Sequence, residues 1–136
     1  MKSKTLVVVS AVLIFFHLLG HAVGHMGWDK PEDPKMQEVV HSMKSYSSPF
    51  MGATKSMADY FQGYSLIMFG VYGMAIAILI LLYSRWEESL GAKGLLLPMG
   101  LAFVYFGVVE YLYFFPLAAM ISLLSGTLLI VSFFRK

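Results

Sequence analysis

No cysteine occurs in this chain of 136 residues. That absence excludes disulfides, thiolate metal sites and CxxC redox chemistry. Charge is scarce too: 13% of residues are charged, against about 25% in an ordinary soluble domain. A net charge of +2 from dispersed basic residues lacks the electrostatic footprint of a nucleic-acid binder. There is no internal repeat, no low-complexity segment and no HExxH-type ligand motif.

What remains is apolar sequence, 58% hydrophobic with a mean hydropathy of +0.71. A membrane core needs about 20 apolar residues in a helix, and residues 5–26, 61–83, 94–114 and 117–134 qualify. The link over 84–93 is short and that at Phe115-Pro116 is a tight turn, so neighbours run antiparallel. The expectation is one all-α membrane domain over 1–136: an up-down four-helix transmembrane bundle. In the polar loop 28–60, Asp33-Pro34 reads as a cap and first-turn proline, and Met36, Val39, Val40 and Met43 mark one apolar face. This predicts a short interfacial helix over Pro34–Ser45. Pro49 and Gly52 then break helical continuity.

Lys2, Lys4, Arg85, Lys93, Arg135 and Lys136 fall on one side if the helices alternate. That side is then cytoplasmic, with both termini, in a bacterial inner membrane. The opposing loop also carries lysines, Lys30, Lys35, Lys44 and Lys55, partly balanced by Asp29, Glu32, Asp33 and Glu38. Lys2 and Lys4 before an apolar run, with Ala22-Val23-Gly24 as a small-residue site, also resemble a signal peptide. The length of the run, and histidines just before the cut, favour a retained span.

The first span ends in "HLLGHAVGHMGW", residues 17–28. At about 100° and 1.5 Å per residue, His17, His21 and His25 share an arc of about 80° but rise about 12 Å. One straight helix therefore cannot bring all three onto a single ion, whereas an adjacent i, i+4 pair can share one if further ligands come from elsewhere. Ser10 lies on the same stripe, and Gly20, Gly24 and Gly27 run beside it, a spacing that admits a close helix. The second span has a small or polar seam of Asp59, Gln62, Gly63, Leu66, Gly70, Gly73 and Ala77, expected to meet that glycine strip. Ser122, Ser125, Gly126 and Thr127 give the fourth span a small packing face.

Glu110 is the acidic residue set well inside an apolar run, "FGVVEYLYFF". Burying it in a membrane costs on the order of 3 kcal/mol, so it should face protein and have a partner. Alternation puts it at the depth of His21 and His25. The expectation is a site of His17, His21, His25, Asp59 and Glu110, with His41 as a further candidate. Imidazole with carboxylate suits zinc, iron, copper or manganese. Met26, Met36, Met43, Met51 and Met57 would suit Cu(I). Haem is disfavoured, because only His41 lies off the first helix. The alternative is acid–base chemistry on a lipid-like substrate, with Glu110, His21 or Asp59 moving a proton beside Trp28, Gln62, Tyr105, Phe106 and Tyr111. A third expectation is an accessory subunit or homo-oligomer in which His17, His21 and Glu110 only form interhelical hydrogen bonds. Such bonds average about 0.6 kcal/mol, small against the insertion cost.

The pattern HxxGHxxGHxGW (17–28), the Pro- and acid-rich stretch 30–35 and the later "PFMG" resemble a group of small bacterial membrane proteins without an established activity. The resemblance implies a shared site and does not name its chemistry. In architecture and buried acids the chain is also similar to DoxX-like proteins and to sterol-isomerase and sigma-2-receptor bundles, without their diagnostic motifs. That likeness implies a bundle cavity and no residue roles.

Overall fold

In the computed structural model, which describes residues 2–86 and 92–135, the order is α1 (Ser3–Gly27), α2 (Pro34–Ser45), β1 (Ser47–Phe50), β2 (Ala53–Ser56) and α3 (Met57–Ser84). A 3-10 turn (Ala92–Leu95) leads into α4 (Leu96–Tyr113), and α5 (Pro116–Phe134) follows. Residues 87–91 of the expected link 84–93, and Lys136, lie outside the described residues. Four helices, Ser3–Gly27, Met57–Ser84, Lys93–Tyr113 and Pro116–Phe134, are long and apolar enough to cross a membrane. The chain is a largely helical membrane protein. It divides into two compact units, Met1–Leu18 with Tyr72–Lys136, and Leu19–Val71.

In the first unit the buried positions repeat about every 3.5 residues: Ser3, Leu6, Val7, Ser10, Ile14 and His17 on α1, and Leu96, Gly100, Phe103, Gly107 and Glu110 on α4. On α5 the buried set includes Ser122, Ser125, Leu129 and Ser132. A 3.5-residue repeat is the seam of helices packed nearly along one another. Three levels join α1 to α5. Ser3 and Ser132 exchange hydroxyl-to-carbonyl bonds of 2.7 and 3.0 Å, Ser10 donates to the Ser125 carbonyl at 3.2 Å, and His17 Nδ1 meets the Ser122 hydroxyl at 3.3 Å. Many buried residues are thus polar while Phe16, Ile80, Leu101 and Leu117 lie exposed, an arrangement that a lipid solvent favours and water opposes.

Close glycine packing occurs between α4 and α5. A Cβ at Gly126 would lie 2.6 Å from the Gly100 oxygen and 2.7 Å from the Val104 nitrogen. At Gly107 it would meet Leu123 at 2.5 Å. The expected meeting of the α1 and α3 glycine strips is corrected here. A Cβ at Gly20, Gly24, Gly27, Gly63, Gly70 or Gly73 meets nothing within 4 Å among the described residues. Leu66, Gly70 and Ala77 of the expected seam are exposed, whereas α3 buries Tyr72, Ala75, Leu79 and Leu82. The glycine spacing permits an approach without requiring it, and the larger side chains on the other face bury more area.

In the unit Leu19–Val71, α2 has the bounds that its cap dictates: the Asp33 side chain accepts from Met36 N at 3.0 Å and Pro34 opens the helix. Its apolar stripe divides, Val40 being buried while Met36 and Val39 are exposed. The segment expected only to interrupt helix is an antiparallel hairpin pairing Ser47 with Ser56 and Phe50 with Ala53. Its two turn residues, Met51 (φ +48°) and Gly52 (φ +85°), are both left-handed, as the twist of a two-residue hairpin turn requires. α3 starts earlier than expected because Ser56 and Asp59 close a capping box: Asp59 Oδ2 accepts from Ser56 N at 2.8 Å, and the Ser56 hydroxyl accepts from Asp59 N at 3.1 Å.

Candidate functional site

The first unit brings four polar side chains together. α1 supplies His17, α3 Tyr72, α4 Glu110 and α5 Ser122. Each lies on its helix's buried face, with exposures of 9%, 1%, 8% and 1%. The Tyr72 hydroxyl donates to Glu110 Oε1 at 3.1 Å and lies 3.0 Å from His17 Nε2. His17 Nε2 is itself 3.3 Å from Glu110 Oε1. The imidazole stacks on the Tyr72 ring, centroids 4.7 Å apart.

Donor capacity assigns the hydrogens. Tyr72 has one proton and gives it to Glu110, so at its oxygen it accepts from His17 Nε2–H. That N–H is shared with Glu110 Oε1. Ser122 can donate to Nδ1 of a neutral imidazole or accept from Nδ1–H of an imidazolium, so His17 is served in either protonation state. Glu110 Oε2 is buried with no hydrogen-bond partner among the described residues.

The other expected site residues lie elsewhere. His21 Nε2 is 3.0 Å from the Ser65 carbonyl oxygen and 3.1 Å from its hydroxyl. His25 Nδ1 is 2.8 Å from the same hydroxyl, and both rings meet Phe69 edgewise. Asp59 is exposed and committed to its cap. Gln62 is exposed with it, along an open groove that includes Lys55 and Tyr60. His41 is exposed on α2, beside a polar groove with Asp29, Lys30 and Lys44. Trp28 packs on Phe61, with Lys44 over its ring. Lys44 also binds Asp29 at 2.9 Å, and this bond holds the Asp29 carboxyl below its ordinary value.

Of the expected set, His17 and Glu110 meet within the first unit, and His21 and His25 meet at Ser65 within the second. Among the described residues no three His, Asp or Glu side chains form a group that could hold a metal ion. Nor do the expected aromatics line Glu110. Tyr105 and Tyr111 are 66% and 70% exposed, and Phe106 packs on Phe103. At 100° per residue, positions 105 and 111 turn well away from 110. Tyr72, Ser122, Ser65 and Phe69 were not anticipated as partners. The seven-residue spacing of Ser3, Ser10 and His17, echoed by Ser65, Tyr72 and Leu79, is the signal that points to them. No family model, no curated protein and no solved structure matches this chain.

Proposed function

We propose that this membrane protein handles a proton at its buried His17–Glu110 pair, as a bacterial inner-membrane protein with both termini cytoplasmic. Glu110 is the observation that carries this reading: one carboxylate oxygen faces imidazole and phenol, and the other is buried with no hydrogen-bond partner among the described residues. A carboxyl held only for packing would have both oxygens satisfied, since an unpaired buried acceptor costs about 1–3 kcal/mol. A proton taken up by His17 gives an imidazolium–carboxylate pair. Its transfer from Nε2 to Oε1 across the 3.3 Å that separates them gives neutral imidazole and carboxylic acid. Tyr72 holds the carboxyl in place, and Ser122 follows the change at Nδ1. Oε2 is then the carboxyl atom whose hydrogen-bonding capacity the described residues leave unused.

Infrared spectroscopy of protein in lipid, recorded in H2O and in D2O, tests this. A carboxylic-acid band should shift on deuteration, vanish in Glu110→Gln and move in frequency in His17→Gln and Tyr72→Phe. A spectrum with no such Glu110 band would make the pair a packing device.

A further inference from the structure

The groove along α3, in the unit Leu19–Val71, belongs to neither histidine cluster, and its lining changes character along the helix. Lys55, two residues before α3 begins, and Asp59 form one end; Leu66 and Ile67 form the other. At about 100° per residue, Asp59 and Gly63 make the floor, with Tyr60, Tyr64 and Ile67 on one flank and Gln62 and Leu66 on the other. A Cβ at Gly63 would meet nothing within 4 Å among the described residues, so the floor is open. From Met57 to Ile67 α3 rises about 15 Å, half of a hydrocarbon core of about 30 Å. The groove therefore runs from the headgroup level through one leaflet of a bilayer that α3 spans.

We propose that this groove holds one phospholipid whose headgroup carries both a phosphate and a primary ammonium, as in phosphatidylethanolamine. Charge complementarity selects that headgroup. Among the described residues Lys55 forms no ion pair, in contrast to Lys44, which Asp29 holds. Asp59 accepts from Ser56 through Oδ2, and its Oδ1 has no hydrogen bond among the described residues. The head of the groove thus offers one ammonium and one carboxylate oxygen. A lipid phosphate answers Lys55 and an ammonium N–H answers Asp59, both in charge-assisted hydrogen bonds. An anionic headgroup without an amine would set its phosphate against Asp59 unrelieved, and a trimethylated amine has no N–H to donate. Beyond the headgroup an acyl chain lies over Gly63, between Tyr64 and Leu66. The groove volume of about 620 Å³ is that of a small-molecule site, so it takes the headgroup and part of one chain while the rest of the lipid stays in the bilayer.

The test uses the full chain, delipidated in mild detergent and titrated with phosphatidylethanolamine, phosphatidylglycerol or phosphatidylcholine, bound lipid being counted by native mass spectrometry. One phosphatidylethanolamine is expected, held about tenfold more tightly than either of the others. Lys55→Gln and Gly63→Leu should each weaken it about tenfold, and His41→Ala should leave it unchanged. Gly63→Leu fills the groove at a position with no packing neighbour, so the fold is kept. Asp59→Asn retains an acceptor for Ser56 and should erase the preference over phosphatidylglycerol. Equal binding of the three lipids by the unaltered chain, or binding that survives both Lys55→Gln and Gly63→Leu, would overturn the site. A lipid-free dimer that Gly63→Leu disperses would overturn it in favour of a second copy of the chain.

Discussion

The two units use the same side chain in opposite ways. In Met1–Leu18 with Tyr72–Lys136, His17 is 9% exposed and its partners are a carboxylate, a phenol and a hydroxyl. In Leu19–Val71, His21 and His25 are half-buried and share one serine. Burial sets the difference. A deeply buried imidazole that changes charge needs an ionisable neighbour, because desolvation leaves nothing else to balance it. A half-buried one can draw on water, so a hydroxyl suffices. Glycine repeats the contrast: Gly100, Gly107 and Gly126 are pressed against a neighbouring helix, while Gly20, Gly24 and Gly63 face open space.

The sharpest way to break this comparison is to truncate each histidine. His17→Ala leaves Glu110 buried without its imidazole and should cost about 3 kcal/mol in reversible unfolding from mixed micelles. His25→Ala removes one partly exposed hydrogen bond and should cost about 0.6 kcal/mol. Equal losses would show that burial does not separate the two clusters. The glycines come next. Gly126→Ala puts a methyl against backbone and should cost about 2 kcal/mol. Gly24→Ala meets nothing and should be neutral or stabilise by up to about 1 kcal/mol; a loss at Gly24 comparable to that at Gly126 would mean that a helix covers the strip.

Asp59→Ala tests whether that carboxylate serves the helix end. A loss of about 1 kcal/mol, seen as faster hydrogen exchange confined to the first turn of α3, is expected. Unchanged exchange in that first turn would contradict the assignment. The smallest effect is on pH. The Lys44 bond holds the Asp29 carboxyl below its ordinary value of 3.8. Its contribution is present above pH 3.8 and is lost as pH falls through the lowered value. Trp28 fluorescence, with Lys44 over the ring, should change only in that acid range; a transition near neutrality would implicate another group.

Much of the architecture was legible in the residues. The four apolar runs correspond to α1, α3, α4 and α5, and α2 has the bounds that Asp33-Pro34 implied. Asp59 shows where such reading fails. Its type and spacing fit a ligand as well as a cap, and only the turn of chain at Ser56 decides between them. Met51 concealed the hairpin, because a left-handed turn residue is ordinarily Asn, Asp or Gly. Tyr72 was one aromatic among many on an apolar helix until its hydroxyl was found between His17 and Glu110.

By itself the sequence determined the membrane-spanning segments, the capped helix in the loop and the need of Glu110 for a partner. These follow from hydrophobic length, capping chemistry and the cost of burying charge, all local properties. Tertiary structure alone decided that Glu110 is partnered by His17, that Asp59 caps α3, and that the packed glycines are those of α4 and α5. Each spanning helix is apolar around most of its circumference, so its sequence does not say which face turns inward. That choice rests on packing between residues far apart in the chain.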